Sequence, residues 1–373
     1  MMKETTLAEI LSEPTRNGLT KPKAIRGKGV PMIAMGEIFA HSRISDIEME
    51  RVPVTEKELN TSFIRECDIL FARQSLTLEG AGKCSIVVKV TEPTVFESHL
   101  IRIRVNPEIA DPYYVYYYFN SHEGKKRVKS IVEQVAAAGI RGSDLVKLKI
   151  SLPEIDQQHK IAVLLMKLDE AREVNEKINE NLAHQAQAIY ADTFITNADP
   201  AWPLGHLSDL ITVRYGKDHK KLDDGPFPVY GSGGVMRYVE RPIYEKESVL
   251  IPRKGTLNNV MYVNEPFWSV DTMFFTEMKL PDVAKFVFHF VKSKDLASLN
   301  AGSAVPSMTT DILNAMELSI PDAETLKRFE SIVGPMYRAM QHNSEESKKL
   351  AAVRDTLLPR LMSGELDVSE LDI

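Results

Sequence analysis

The chain has 373 residues, enough for two domains with cores of their own, and its 43% apolar and 26% charged content excludes a disordered or low-complexity protein. No window holds the unbroken apolar run of a membrane span, residues 1–14 lack the apolar core of a signal peptide, and Cys67 and Cys84 are too few for a disulfide framework, so a reduced cytoplasmic setting is expected. The net charge of −6 is localised: residues 154–190 hold 4 Lys/Arg against 7 Asp/Glu, residues 322–373 hold 7 against 10, and the remainder balances.

In chain order, residues 14–36 come first, with Arg16, Lys21, Lys23, Arg26 and Lys28 and no acid, beside Gly18, Gly27 and Gly29. Such a stretch is expected to form a flexible basic loop suited to phosphate contact. Arg73 ends the stretch Asp68-Ile-Leu-Phe-Ala-Arg73 just before a loop, a place for base reading or phosphate anchoring, and Gln74 beside it is a further base-reading candidate. Short strands are expected at residues 85–90 and 99–105. The run YYVYYYF at residues 113–119 is a buried helix or strand, which periodicity does not decide, and its apolarity favours core packing over a base-stacking platform. Pro153 then introduces a heptad-like helix over about residues 156–194, with Asp156 as its expected cap.

The second half repeats this plan. Arg214, Lys217, Lys220 and Lys221 stand against Asp218 alone, and Tyr230-Gly-Ser232-Gly233-Gly234 follows, where glycines let backbone amides approach phosphates or simply form a turn. Strands are expected at residues 248–252 and 259–263, and the first of these ends at Arg253, the counterpart of Arg73. Lys254, Asn258 and Asn259 join it as DNA-binding candidates. Pro321 introduces a second helix over about residues 322–362, with Asp322 as its expected cap, a kink expected at Gly334-Pro335 and a disturbed last turn at Pro359.

Adding 168 to a number in the first copy gives its counterpart: Leu145 falls on Leu313, Pro153 on Pro321, Ile161 on Phe329, Leu168 on Met336, Asn175 on Asn343, Leu182 on Leu350 and Ile189 on Leu357. The last five pairs are one heptad apart, as a single coiled-coil seam requires. Each helix would be roughly 57 Å long at 1.5 Å per residue, and each leaves its own globular half in the same sense. A pseudo-twofold arrangement therefore makes them antiparallel. Asn175 and Asn343, polar at equivalent seam positions, are expected to fix the helix register, because a buried amide penalises slipped pairings.

Two stretches imitate catalytic motifs. Asp111-Pro-Tyr-Tyr114 is like the Asp/Asn-Pro-Pro-aromatic motif of adenine methyltransferases, but the second proline is missing and no glycine-rich cofactor loop precedes it, so it reads as a turn opening. Leu78-Glu-Gly-Ala-Gly-Lys83 is like a phosphate loop, but Thr77 stands where the first glycine belongs and Cys84 replaces the hydroxyl residue. The histidines and cysteines are scattered without paired metal-ligand spacing, so no metal is expected.

These features together resemble the specificity subunit of a type I restriction-modification enzyme. The matching stretches are Leu152-Pro-Glu-Ile-Asp-Gln-Gln-His-Lys-Ile161 and Ile320-Pro321 at the helix starts, Phe227-Pro-Val-Tyr-Gly-Ser-Gly-Gly-Val235, Val249-Leu-Ile-Pro-Arg253, and the terminal Leu357-Leu-Pro-Arg-Leu-Met-Ser-Gly-Glu365. The resemblance covers nearly the whole chain and is weaker before about residue 60. It implies an α+β fold: two target-recognition domains (1–152 and 198–320) in pseudo-twofold repeat, alternating with helical regions (153–197 and 321–373) that pair as an antiparallel coiled coil. It further implies a non-catalytic chain that reads a bipartite site on double-stranded DNA and docks methyltransferase subunits and, where present, restriction and translocase subunits. S-adenosylmethionine, ATP and Mg would belong to those partners, and this chain would hold no cofactor. A helical bar of that length would set an outer limit of about 17 base pairs between domain centres. The competing reading is a coiled-coil adaptor, which has no reason to repeat basic clusters in both halves.

Overall fold

In a computed structural model of the protein, residues 2–45, 47–134, 138–299 and 307–371 are described, which leaves the last two residues of the C-terminal helical region outside. The chain divides into a first unit, Met1–Val174 with Glu345–Ile373, and a second unit, Asn175–Ser344. Each unit thus takes a share of both long helices, Ile155–Ala191 and Ala323–Met362.

The central strands are buried stretches, and the two arginines buried in one of them, Arg102 and Arg104, are paired with Glu13 and Asp68. In the first unit the sheet order is Leu11–Asn17, Leu100–Val105, Ile69–Ala72, Cys84–Val87 and Arg43–Ile44, and the inner strands Leu100–Val105, Ile69–Ala72 and Cys84–Val87 are buried at every residue. A smaller sheet joins Arg51–Val52, Val30–Ile33 and Val95–Phe96, the last two in parallel. The second unit repeats this order: Ile211–Tyr215, Met273–Met278, Ser248–Pro252 and Met261–Val263, beside Gly234–Val239, Phe227–Gly231 and Trp268–Ser269, again with a parallel last pair. In both, a strand at the unit's beginning pairs antiparallel with the strand that leads into a long helix: Lys3–Thr6 with Lys149–Leu152, and Leu204–His206 with Glu317–Ser319.

The undecided apolar run is a helix, Pro112–Asn120, and the second unit has a similarly buried helix, Ala284–Lys292. For the first, the local reason is a cap: Asp111 Oδ1 accepts from the amides of Tyr113 (2.8 Å) and Tyr114 (3.0 Å), and proline occupies the first turn, where its missing N–H costs nothing. This accounts for Asp-Pro-Tyr-Tyr without catalysis. Tyr114, Tyr116, Tyr117, Tyr118 and Phe119 are all buried, and Phe119 meets Phe71 of the sheet edge-on at 5.3 Å, so the aromatic run is core and not a stacking platform.

The helix starts differ from expectation in one case. Asp322 is a cap, accepting from the Thr325 and Glu324 amides, the Thr325 hydroxyl and the Trp202 indole N–H; these bonds, the Thr325 amide foremost, hold its carboxyl down to about 2. Asp156 is not a cap. The helix begins at Ile155, the Glu154 carbonyl accepts from the Gln157 and Gln158 amides, and Asp156 lies inside the first turn, where its charge favours the helix dipole. The first helix ends its α turns at Ala191 and widens into π turns over Asp192–Thr196. The second runs unbroken through Gly334, Pro335 and Pro359 as secondary structure. A proline deletes one backbone bond, and buried Leu326, Phe329 and Val333 before Pro335, with Leu358, Leu361 and Met362 around Pro359, hold the remaining turns in place.

Within each unit the two helical segments run antiparallel. In the first, Lys160 donates to the Ser369 carbonyl just past the returning helix, while Arg354 Nη1 donates to Asp169 Oδ1 at 2.7 Å. In the second, Asn175 Nδ2 donates to the Asn343 carbonyl (3.5 Å), Asn343 Nδ2 to Asn179 Oδ1 (2.9 Å), and Asn179 Nδ2 to the Met340 carbonyl (3.1 Å), while Tyr190 and Phe194 meet Phe329 farther along. The two predicted register residues therefore meet, and Asn179, one helical turn on, completes the amide ladder. No helix among the described residues is long and apolar enough to cross a membrane.

Each short buried helix is tied to both long helices by one polar group. In the first unit the Tyr117 hydroxyl donates to Asp169 Oδ2 (2.8 Å), and Asp169 in turn accepts from Arg354. In the second, His289 Nδ1 lies 2.8 Å from Gln187 Oε1 and Nε2 lies 3.0 Å from the Tyr337 hydroxyl. Burial, aided by nearby Lys292, pushes the imidazole down to about 4. With Gln187 presenting its oxygen, Nδ1 carries the proton and Nε2 accepts from Tyr337.

Two outcomes are expected. The unfolded chain binds a proton at His289 below about pH 6.5 that the folded unit excludes, so stability present above that pH is lost as pH falls from about 6.5 toward about 4. The loss is on the order of 3 kcal/mol at most, and thermal melts at pH 7 and pH 5 should show a smaller pH-dependent drop for His289→Gln than for the parent. Asn343→Leu removes the donor to Asn179 and should cost roughly 1 kcal/mol; chemical denaturation equal to the parent's would exclude a stabilising role for the ladder.

Candidate DNA-binding interface

The strand Ile69–Ala72 ends at Arg73 and the strand Ser248–Pro252 ends at Arg253, and the surrounding chain ties both arginines in the same way. The Arg73 amide donates to the His99 carbonyl (2.8 Å), its Nη1 to the Ser98 carbonyl (3.3 Å), and its own carbonyl accepts from the Ile140 amide (2.9 Å). The Arg253 amide donates to the Thr272 carbonyl (2.9 Å), its Nη1 to the Asp271 carbonyl (3.3 Å), and its carbonyl accepts from the Met308 amide (2.9 Å). Three separate segments are thereby knotted at each arginine, and one guanidinium N–H on each is spent on aim. The Arg253 guanidinium also lies 5.4 Å over the ring of Tyr215, which is half exposed. Tyr215 and the knot partners escaped the sequence reading. A signal for the third segment was present, since the 168-residue offset places Ile140 on Met308.

The basic clusters occupy the same connection in both units, and each is pinned beside its knot. The Leu19 amide donates to the Phe96 carbonyl and the Ser98 amide to the Leu19 carbonyl; in the second unit the Lys217 amide donates to the Ser269 carbonyl. Backbone passes so close here that a Cβ on Gly18 would sit 2.0 Å from the Phe96 oxygen, and one on Gly216 would sit 2.0 Å from the Val270 oxygen. Gly18 is therefore required by close approach and not by flexibility. The first loop is also less free than expected. Lys21 pairs with Glu58 at 2.8 Å, a bond that leads in holding the Glu58 carboxyl down to about 2, and Arg26 pairs with Glu50 at 2.8 Å while donating to the Lys21 carbonyl. Arg16, Lys23 and Lys28 are exposed, and among the described residues their side chains make no hydrogen bond or ion pair. In the second unit Arg214 pairs with Glu277 at 3.1 Å, whereas Lys217, Lys220 and Lys221 are exposed without such a partner among the described residues.

The turn between Phe227–Gly231 and Gly234–Val239 rests on the loop after Arg253. Asn259 Nδ2 donates to the Ser232 carbonyl (2.7 Å), and Gly255, at φ +86°, leaves room for the Ser232 hydroxyl. Ser232, Gly233, Arg253 and Lys254 are thus gathered, and nothing lies within 4 Å of where a Gly233 Cβ would be. Tyr230 and Asn258 are hydrogen-bonded within the unit. The Tyr230 hydroxyl donates to Glu265 (2.8 Å), and the Asn258 amide donates to Asp295 (3.1 Å) while its oxygen accepts from the Ala297 amide (3.0 Å). In the first unit Gln74 Oε1 lies 3.0 Å from His99 Nδ1, and both side chains are exposed. The stretch that imitates a phosphate loop is a turn entering a strand: the Gly82 amide donates to the Ala72 carbonyl and Lys83 Nζ to the Phe39 carbonyl, so neither faces an empty phosphate cradle.

The model of the type I restriction modification DNA specificity domain matches residues 2–184 and 201–350. The chain is 21% identical over 396 aligned residues to the type I restriction enzyme MjaIX specificity subunit of Methanocaldococcus jannaschii, covering 94% of this chain and 90% of that protein. It is also 21% identical over 441 aligned residues to the HindI specificity subunit of Haemophilus influenzae, covering 88% and 91%. The crystal structure of a type I restriction-modification S subunit from Mycoplasma genitalium superposes with a TM-score of 0.64 over 97% of this chain and 96% of that one, at 17% identity, and so shares its fold. Two matched segments spanning both repeats, together with the duplicated architecture, place this chain in the family of type I restriction-modification DNA specificity subunits.

Proposed function

We propose that each unit reads one half of a bipartite site on double-stranded DNA, and that the chain, without catalysis of its own, docks adenine methyltransferase subunits and restriction subunits through its helices. The observation that carries this reading is the repetition of the arginine knot with a basic connection pinned beside it. Each knot holds a guanidinium by one N–H and leaves its other donors to meet guanine O6 and N7 or a phosphate. The lysines alongside, unpaired and exposed, would supply the sequence-independent contact that positions the duplex. S-adenosylmethionine, ATP and Mg would act in the partner subunits. A purely structural coiled-coil adaptor would give neither a DNA affinity that falls with salt nor a reason to repeat the knot.

Long-read methylation sequencing of cells that express this chain with its modification subunit tests the proposal. A bipartite adenine-methylated motif with a fixed unread gap is the expected result, and Arg73→Ala and Arg253→Ala should each relax recognition in a different half. With the purified complex, Lys217→Ala should reduce the slope of log affinity against log salt by about 1 while leaving the motif unchanged. Methylation that is indifferent to the presence of this chain would favour the adaptor.

A further inference from the structure

Three residues after Arg73, the first unit presents Leu76 at 99% exposure, the highest among the large exposed hydrophobics of the described residues, whose other values run from 38% to 72%. A side chain so placed forgoes the whole of the burial free energy that a leucine can contribute. The turn beneath it is nevertheless built. Ser75 pairs across to Ala138, the Thr77 amide donates to Ser75 Oγ (3.1 Å), and the Gly80 amide donates to Thr77 Oγ1 (3.2 Å). A Cβ on Gly80 would lie 2.1 Å from Ser75 Oγ, so the turn closes tightly on itself. Its polar groups are spent on holding its shape, and the residue at its tip is apolar.

What surrounds the tip identifies the occupant. On the same turn and its flanking chain stand Arg73, the exposed Gln74–His99 pair, Leu78 at 38% exposure, the exposed Glu79, and Lys83, whose ammonium lies 5.2 Å over the ring of Phe39, itself 39% exposed. A protein partner would call for a broad apolar core within a polar rim. Leu76 alone is fully exposed, with Leu78 and Phe39 only partly so, and a leucine that projects beyond them beside Arg73, Lys83 and side-chain amides suits a base step flanked by phosphates, where leucine is among the residues that enter and unstack DNA. The second unit supplies an internal comparison: counting from Arg253 as from Arg73, the position of Leu76 is taken by Thr256, exposed but polar.

Resting on the DNA-reading function proposed above, we infer that Leu76 is a wedge: it enters between two stacked base pairs of the half-site read by the first unit and opens that step. The second unit leaves its half-site stacked. The two halves of the recognition site are therefore deformed unequally, and the step opened by Leu76 contributes specificity through its ease of unstacking as well as through contacts.

The test uses the full chain in complex with its modification subunit and duplexes carrying 2-aminopurine at each position of the methylated motif in turn, outside the adenines that are methylated. The expected result is a fluorescence rise at one step that Leu76→Ala abolishes and Thr256→Ala retains, with affinity about tenfold weaker for Leu76→Ala and restored by Leu76→Phe. Unchanged fluorescence and affinity in Leu76→Ala, with bipartite methylation intact, overturn the wedge and leave the function standing. A new tolerance at one thymine with no change in stacking means a methyl contact in place of a wedge. Weaker assembly with the modification subunit at unchanged DNA affinity of the assembled complex means that Leu76 meets protein. Methylation that does not depend on this chain removes both proposals together.

Discussion

The constraint on which each unit depends is that a short buried helix carries polar groups to the long helices, and each must be satisfied there; in the second unit Lys285 also pairs with Glu330 at 2.8 Å. Tyr117 reaches Asp169, which also receives Arg354; His289 reaches Gln187 and Tyr337. The numbering offset places Asp169 on Tyr337, so the same structural position is served by an anion in one copy and by a phenol in the other. The chemistry diverged while the requirement stayed, because an unsatisfied buried donor or acceptor is costly whatever its type. A sheet whose covering helix is held to both long segments cannot roll on them without breaking that bond. The orientation of the strand ends, and with it the aim of Arg73 or Arg253, follows within each unit.

The arginine knots use the same economy one layer farther out. Backbone from three segments converges on a residue whose guanidinium is partly spent on a local carbonyl, which restricts its rotamer freedom; under the proposed function it would then lose less on meeting a base. Recognition needs side chains that are exposed and also stiff. Glu50 and Glu58 stiffen the first basic loop, and Glu277 holds Arg214 in the second unit. Lys23, Lys28, Lys217, Lys220 and Lys221, by contrast, are exposed without such partners among the described residues, and under the proposed function would meet phosphate, where a point charge needs no fixed geometry.

Much of this plan is written in the local sequence. The duplication, the proline before each long helix, the Asp322 cap and the pairing of Asn175 with Asn343 are legible because they depend on residue type and spacing, which one chain displays. The glycines and side-chain partners were not. Gly18 sits where the Phe96 carbonyl passes, a fact set by a residue 78 positions away, and only the fold shows that Asp295 and Ala297 hydrogen-bond both ends of the exposed Asn258 amide. Asn179 was invisible as a ladder member because only the facing helix shows which amide it meets.

The sequence by itself determined the two-copy organisation, the α+β class, the acidic helices and the places where positive charge recurs, since periodicity, composition and repetition are properties of a line. The tertiary structure alone decided which of those charges are already neutralised, whether YYVYYYF is a helix in the core, and that Leu76 stands fully exposed on a closed turn. Those are properties of distance between residues remote in the chain. A hydrogen bond or an ion pair is made or missed within about 1 Å, a margin that spacing along the chain does not specify.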